Sequence, residues 1–150
     1  MRQLEASERA RRFGESMREA ANRHDVDAVM ALLAEDVVWA SPVAPEPVQG
    51  RQAAREWISG FFVAFPDVRF DLAGGPYVSL DGRQAVYIWT VVGTMLGPGP
   101  GGVPATGERV EYEEIDVVTF DDERAVRVSV SVDMLNLGRQ LGLTPVRPGS

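Results

Sequence analysis

The stretch ERVEYEEIDVVTFDDERAVRVSVSVD, residues 108–133, decides the fold class. Its apolar residues recur at every second position, which is the period of a half-buried strand. Residues 108–120 therefore predict one long strand and residues 125–133 a final strand, with a turn from Asp121 to Arg124. Two long strands joined by so short a turn pair as an antiparallel hairpin, so a sheet forms the centre of the fold.

More strands precede this hairpin. Residues 68–72 alternate in the same way, and a further strand is predicted at 76–80. Asp81-Gly82 is a strong signal for the tight turn of a hairpin, and residues 85–94 are rich in strand-forming side chains. Residues 96–107, rich in glycine and proline, form a flexible connection that we expect to cover a pocket mouth as a lid.

The first half of the chain has helical patterns instead. Residues 7–22 show the apolar spacing of a helix, and Asp25 is a plausible N-cap for a second one. A third helix covers about 51–64 and ends before Pro66. Val37 and Trp39 alternate as in a short strand between them. The chain is therefore α+β, with three N-terminal helices packed on a mostly antiparallel sheet. If that sheet curves strongly, the helices close an apolar cavity against it.

One domain accounts for the whole chain. A length of 150 residues suits a single domain at 1–150, with its core at about 7–143. A short helix at 134–141 follows the last strand, and a Pro-rich, flexible C-terminal tail follows that helix.

The composition excludes several kinds of chemistry. The chain has no cysteine, so disulfides and thiolate metal sites are absent, and its 15 basic residues are all arginine, which rules out a lysine Schiff base. The net charge of −7 disfavours a nucleic acid partner. No signal peptide or membrane span is apparent, so we expect a cytoplasmic protein without a membrane partner. No motif for a metal or a cofactor is present, and we expect neither.

Two carboxyl groups interrupt an apolar face of the long strand. Glu114 and Asp116 share that face with Val110, Tyr112 and Val118. If both are buried, one should hold a proton, because like charges raise each other's pKa. Asp116 is then a candidate catalytic or orienting group, and Glu114 a candidate substrate contact. The alternative is that this face is partly wet at a dimer rim.

The end of the last strand offers another candidate. Period two places Ser129, Ser131 and Asp133 on one face, and a carboxylate in an apolar pocket has a pKa suited to a general acid or base. We expect Asp133 to be catalytic and both serines to contact the substrate. Two alternatives stay open: Asp133 is the N-cap of the terminal helix, or this face of the strand is exposed to solvent.

Aromatic side chains are the candidate walls of the pocket. A flat hydrophobic ligand needs apolar walls and few polar contacts, although packing in the core is the simpler explanation for any single ring. The candidates are Trp39, Trp57, Phe61, Phe65, Trp89 and Tyr112.

Four segments resemble the SnoaL-like polyketide cyclases, which belong to the nuclear transport factor 2-like superfamily. They are HDVDAVMALLAEDVVWASP, FFVAFPDVRF, GVPATGERV and VDMLNLGRQLGL, and the resemblance spans about residues 15–143. It implies an α+β cone, a homodimer through the outer face of the sheet, and ring closure without a cofactor. The family's acid/base aspartate matches Asp133. Both histidines common in relatives are missing, and His24 is expected to be structural or exposed.

The resemblance favours a cyclase or isomerase of secondary metabolism, such as antibiotic biosynthesis, acting on a hydrophobic polyketide-type substrate. One alternative is an epoxide hydrolase or a ketosteroid-isomerase-like enzyme, in which Arg109 or Arg127 supplies a cation. The other is a non-catalytic module of the same fold that binds a small molecule or dimerises.

Overall fold

The computed structural model describes residues 2–143, which form helices α1–α4 and strands β1–β6. The tail predicted beyond them lies outside the described residues. In chain order the elements are α1 (Arg2–Asn22), α2 (Val26–Ala31), β1 (Leu33–Ala40), β2 (Val48–Gln49), α3 (Arg51–Ala64), β3 (Arg69–Val78), β4 (Gln84–Thr94), β5 (Arg109–Asp121), β6 (Arg124–Val132) and α4 (Met134–Leu141).

The six strands form one open mixed sheet in the order β2-β1-β6-β5-β4-β3. β1 runs parallel to β6, and every other neighbouring pair is antiparallel. The α+β class, the three N-terminal helices and the mostly antiparallel sheet are therefore confirmed. The β5–β6 hairpin lies at the centre of the sheet, where β5 also pairs with β4 and β6 also pairs with β1.

The segment predicted as two strands is a single strand, β3. Its register against β4 shifts on either side of Gly74, and the peptide bond between Gly75 and Pro76 is cis. The Gly-Gly-Pro sequence is an ordinary turn signal, but the strand bulges there and pairing resumes at Tyr77. The helix predicted at 7–22 also starts earlier than expected, at Arg2.

Helix α1 is fixed to the sheet by one buried tyrosine. The Tyr87 hydroxyl on β4 donates a hydrogen bond of 2.6 Å to the Ala10 carbonyl. The ring of Tyr87 fills the space left by Gly14, where an added Cβ would lie 2.8 Å from Tyr87 Cε1. Phe13 packs edge-on against Phe120, with ring centroids 5.1 Å apart. These contacts hold α1 against one face of β4 and β5.

The opposite face of the sheet carries a small aliphatic strip. Ile88 pairs with Ile115 and Val86 with Val117 across β4 and β5, and Ile115 is exposed. The homodimer expected through this face stays a prediction. Among residues 2–143, none of the helices has both the length and the apolar character needed to cross a membrane.

The buried hydroxyl of Tyr87 gives a direct test of how α1 is held. Tyr87→Phe should lower the free energy of unfolding by about 1 kcal/mol, because it removes a buried hydrogen bond while keeping the ring. Urea denaturation measures the change. Tyr77→Phe is the matched control, since Tyr77 is 59% exposed and should show no measurable loss. Equal losses in both variants would contradict the assigned contact.

Candidate functional site

A cavity of about 670 Å³ lies between the helices and the inner face of the sheet. This volume falls within the range of pockets that hold drug-sized ligands. Its walls come from α1, α3, α4 and the inner faces of β4, β5 and β6. The aromatic residues that line it are Phe13, Trp39, Trp57, Phe61, Phe62, Phe65, Phe70, Tyr87, Trp89 and Tyr112.

Most of the residues predicted for the pocket do line this cavity. Helix α3 contributes Trp57 and Phe61, which share one face because they are four residues apart, and Phe65 follows as its C-cap residue. The full set of predicted residues in the lining is Trp39, Trp57, Phe61, Phe65, Trp89, Tyr112, Glu114 and Asp116.

The register of the sheet turns Glu114 and Asp116 inward. Glu114 lies opposite Trp89 on β4, and Asp116 lies opposite Tyr87. Residues opposite each other in an antiparallel ladder point to the same side of the sheet, so both carboxyl groups share their face with these two rings. Both side chains are half-buried, and the surface they expose faces the cavity.

The surroundings of this carboxyl pair raise the pKa of both groups. Burial is the largest cause for each, and the Glu114 carboxylate next to Asp116 raises the pKa of Asp116 further, well above its usual range. The Trp89 indole opposes this rise only weakly. Because each carboxylate opposes the ionisation of the other, the two groups resist losing both protons, and the rise in pKa is larger for Asp116.

Asp116 also has an unused hydrogen-bonding atom. Its Oδ1 is buried and has no hydrogen-bond partner among residues 2–143. Tyr112 lies two residues before Glu114 on the same face of β5, and burial, together with Glu114 and Asp116, raises the pKa of its hydroxyl. That hydroxyl therefore stays protonated at neutral pH and is a hydrogen-bond donor in the cavity wall.

Asp133 is not among the residues that line the cavity, and its catalytic role stays a prediction. Its side chain is exposed and accepts a hydrogen bond of 3.0 Å from the Asn136 backbone N–H, as the N-cap of α4. The physical reason is that Asp133 follows the last residue of β6, so the start of the helix, rather than the pleat of the strand, sets its direction.

Ser129 and Ser131 face away from the cavity as well. Ser131 is exposed, and the Ser129 hydroxyl accepts a hydrogen bond of 3.2 Å from Arg127 Nε. The inner face of β6 carries Val128, Val130 and Val132 instead. The other face of β6 is exposed to solvent, so its apolar residues should point inward. Applied to the sequence, this rule predicts the three valines as the inner face.

Several other residues that line the cavity are not among those predicted from the sequence. Met134, Leu137 and Leu141 of α4 line the cavity, and their helical spacing is the signal that identifies this face. The segment predicted as a lid contributes Pro98 and Val103 to the lining, and its movement stays a prediction.

The lining contains few charges besides the carboxyl pair. They are Arg18, which binds Asp71 at 2.9 Å, and Glu56. Neither Arg109 nor Arg127, the cations considered for epoxide opening, is part of the lining. His24 lies outside it as well, stacked on Phe62 with ring centroids 4.7 Å apart. Residues 2–143 contain no cluster of three or more histidine, cysteine or carboxylate side chains suited to a metal.

The SnoaL-like domain model matches residues 15–128, so the chain belongs to the SnoaL-like family. A candidate SnoaL-like polyketide cyclase from Jannaschia sp. CCS1 is similar in structure, with a TM-score of 0.79, 17% identity, and 93% of this chain and 95% of the other covered. No curated protein matches the chain.

Two further solved structures show the same fold. The epoxide hydrolase/cyclase-like enzyme SalBIII, described in pyran ring formation in the polyether salinomycin, is 22% identical with a TM-score of 0.72, covering 91% of this chain and 97% of its own. A candidate isomerase from Bacillus subtilis is 20% identical with a TM-score of 0.76, covering 95% and 99%. The nuclear transport factor 2-like fold expected from the sequence is thereby confirmed.

The capping role of Asp133 can be tested by stability. Asp133→Ala should lower the free energy of unfolding by about 1 kcal/mol, because it leaves an N–H of the first turn of α4 without its partner. Asp133→Asn should lose much less, since asparagine is also a good N-cap. Chemical denaturation of the two variants measures the difference, and equal losses would argue against the cap.

The buried carboxyl pair predicts an unusual dependence of stability on pH. Because burial raises the pKa of Asp116 in the folded state, its ionisation destabilises the fold as pH rises. Asp116→Asn should therefore raise the free energy of unfolding at pH 7, by about 1.4 kcal/mol for each unit of pKa removed. The gain should vanish below about pH 4, where an unfolded carboxyl is also protonated.

Glu113→Gln is the matched control for this measurement. Glu113 is the neighbour of Glu114 on β5, and its side chain is exposed on the opposite face of the sheet. Its substitution should leave stability nearly unchanged at both pH values. A loss of stability in Asp116→Asn at pH 7, or a gain of the same size in Glu113→Gln, would contradict the assigned burial.

Proposed function

We propose that this protein is a cofactor-independent acid/base enzyme that isomerises or closes a ring in a hydrophobic carbonyl compound. The observation that carries the proposal is the carboxyl pair of Glu114 and Asp116, which lines an aromatic cavity and whose pKa values are raised by burial. Raising the pKa of a carboxyl makes it a better proton acceptor when ionised and a proton donor at higher pH, as general acid/base catalysis requires. The pair takes the place of Asp133 in the mechanism.

The reaction starts with proton removal from the carbon next to the carbonyl. In the proposed mechanism the Glu114 carboxylate accepts this proton, and the C–H electron pair forms the enolate. Tyr112, which keeps its proton, donates a hydrogen bond to the enolate oxygen. Asp116 returns a proton, either to another carbon, which completes an isomerisation, or to the alkoxide formed when the enolate attacks a second carbonyl of the same molecule. After the cycle Glu114 carries a proton and Asp116 does not, and transfer of that proton from Glu114 to Asp116 restores the starting state of the enzyme.

The relatives in structure support this class of reaction. One is named as a polyketide cyclase candidate, one as an epoxide hydrolase/cyclase-like enzyme and one as an isomerase candidate. The aromatic walls fit a flat polyketide-type substrate. A pocket that holds a flexible chain in the conformation needed for ring closure lowers the activation barrier through this positioning alone.

The alternatives have less support. Epoxide opening assisted by a guanidinium is disfavoured because the one arginine found in the lining, within the part of the chain the structure describes, already binds Asp71. A module whose interior is merely filled by its own side chains is disfavoured by the size of the cavity. A protein that binds its ligand without converting it is distinguished from an enzyme by the following experiment.

Exchange of the α-protons of 2-tetralone in D₂O tests the proposal, with binding first established by quenching of tryptophan fluorescence. The full-length protein should accelerate loss of the α-proton NMR signals over buffer. Glu114→Gln and Asp116→Asn should each lower this rate by about 100-fold or more, because the proton acceptor or its partner is lost.

Two control variants make the result specific. Glu113→Gln and Asp133→Asn should exchange at the rate of the unmodified protein, since neither side chain lines the cavity. If bound tetralone exchanges no faster than in buffer, or equally fast in Asp116→Asn, the proposed acid/base role is wrong.

A further inference from the structure

We propose that the compound recognised by this cavity is a lipophilic amine, whose ammonium group lies against Glu114 and Asp116. The inference rests on the proposed function in that it concerns the same site and names the class of its substrate. Three independent features of the cavity wall point to this class: a missing positive charge, an unused acceptor atom, and a surrounding set of aromatic rings.

The first feature is the balance of charge. The carboxyl pair has no cationic partner in its surroundings, where the groups that act on it are the two carboxyls themselves and the Trp89 indole. Among the described lining residues, Arg18 is the one cation, and it is engaged by Asp71 at 2.9 Å. Buried carboxylates are normally paired with a positive charge. Here that charge has to come from the ligand.

The second feature is Asp116 Oδ1. This atom is buried without a hydrogen-bond partner among residues 2–143, in a side chain that lines the cavity. A carboxyl with an unsatisfied acceptor costs free energy, which a ligand N–H that reaches the cavity-facing surface of Asp116 recovers on binding. An ammonium group offers up to three N–H donors, enough for this atom and for the Glu114 carboxylate next to it.

The third feature is the aromatic surround. Trp89 lies directly opposite Glu114 across the β4–β5 ladder, and Tyr112 is the next inward residue along β5. Trp57 and Trp39 line the same cavity from α3 and β1. The faces of such rings attract cations, most strongly when water is excluded. Carboxylates and aromatic faces together suit an ammonium group attached to an apolar ring system.

An amine also fits the proposed chemistry. A bound ammonium group stabilises the ionised forms of both neighbouring carboxyls, because it supplies the opposite charge that the empty cavity lacks. The Glu114 carboxylate is then free to accept the proton from carbon, and it passes this proton to the neighbouring Asp116 carboxylate, which returns it to the product. A neutral ligand leaves the pair with one proton and one uncompensated charge, and a carboxylate ligand adds a third negative group to the site.

A series of naphthalene derivatives with a common ring tests this inference. The probes are 1-naphthylmethylamine, 1-naphthylmethanol and the carboxylate anion of 1-naphthylacetic acid. Each is titrated into the full-length protein by calorimetry at pH 7. The amine should bind at least about 10-fold more tightly than the alcohol, as expected for one charge-assisted pair. The acetate should bind most weakly. An alcohol that binds as tightly as the amine would overturn the inference.

Variants of the pair assign the preference to this site. In Asp116→Asn and in Glu114→Gln the affinity ratio of amine to alcohol should fall to within about 2-fold, as expected when charge pairing is lost. Retained binding of the alcohol shows that each variant is folded with its cavity intact. Glu113→Gln, on the exposed face of the same strand, should keep the full preference. If all three variants keep it, the preference comes from the overall negative charge, and the inference is wrong.

The two proposals fail separately. Fast tetralone exchange without a preference for the amine would overturn the ligand class and leave the acid/base role. A preference for the amine without exchange of bound tetralone would overturn the acid/base role and leave the ligand class.

Discussion

Burial of two carboxyl groups on one face of β5 is the constraint on which the rest of the structure depends. Each group loses much of its hydration there, which is unfavourable for the ionised form and raises both pKa values. A core optimised for stability would place apolar side chains at both positions, as the neighbouring strand does with Val130 and Val132. The cavity lessens this cost, because part of the surface of both side chains faces it rather than packed apolar atoms.

The walls around this pair are held by contacts that do not involve the pair itself. Tyr87 stacks on Trp89 with ring centroids 5.9 Å apart, and Phe70 meets Trp89 edge-on at 6.5 Å. The hydroxyl of Tyr87 is fixed in turn by the Ala10 carbonyl. The positions of these rings are therefore set by contacts within the protein, and such preorganisation reduces the entropy lost on binding.

The sequence predicts the inner face of β5 well because the period of a strand is two. Once Tyr112 and Val118 are taken as core residues, Glu114 and Asp116 have to point the same way. The helix bounds at 51–64 and 134–141 also agree with the structure, since caps and periodicity are local features. Local patterns fail where a distant partner decides, as in the parallel pairing of β1 with β6 and the continuous pairing of β3 past Gly74.

Asp133 illustrates a different limit of sequence reasoning. The alternation of β6, extended one residue past its end, predicts that Asp133, Ser129 and Ser131 lie on the inner face. That prediction takes its phase from the expected role of one polar residue, whereas the alternating valines of the strand indicate the opposite phase. An apolar face of a strand is the better guide, because burying it is favourable while burying a serine face is not.

The position of Asp133 still matters to the cavity, through the helix that it begins. Its cap fixes the first turn of α4, and the Gln140 side chain fixes the last turn by two hydrogen bonds to the Glu111 backbone, of 2.8 and 2.9 Å. β5 extends beyond its pairing with β6 at this point, so the amide of Gln140 satisfies an otherwise free strand edge. Between these two ends α4 presents Leu137 and Leu141 to the cavity. Asp133 thus acts on the cavity wall through the helix that it caps, while the carboxyl groups that line the cavity belong to β5.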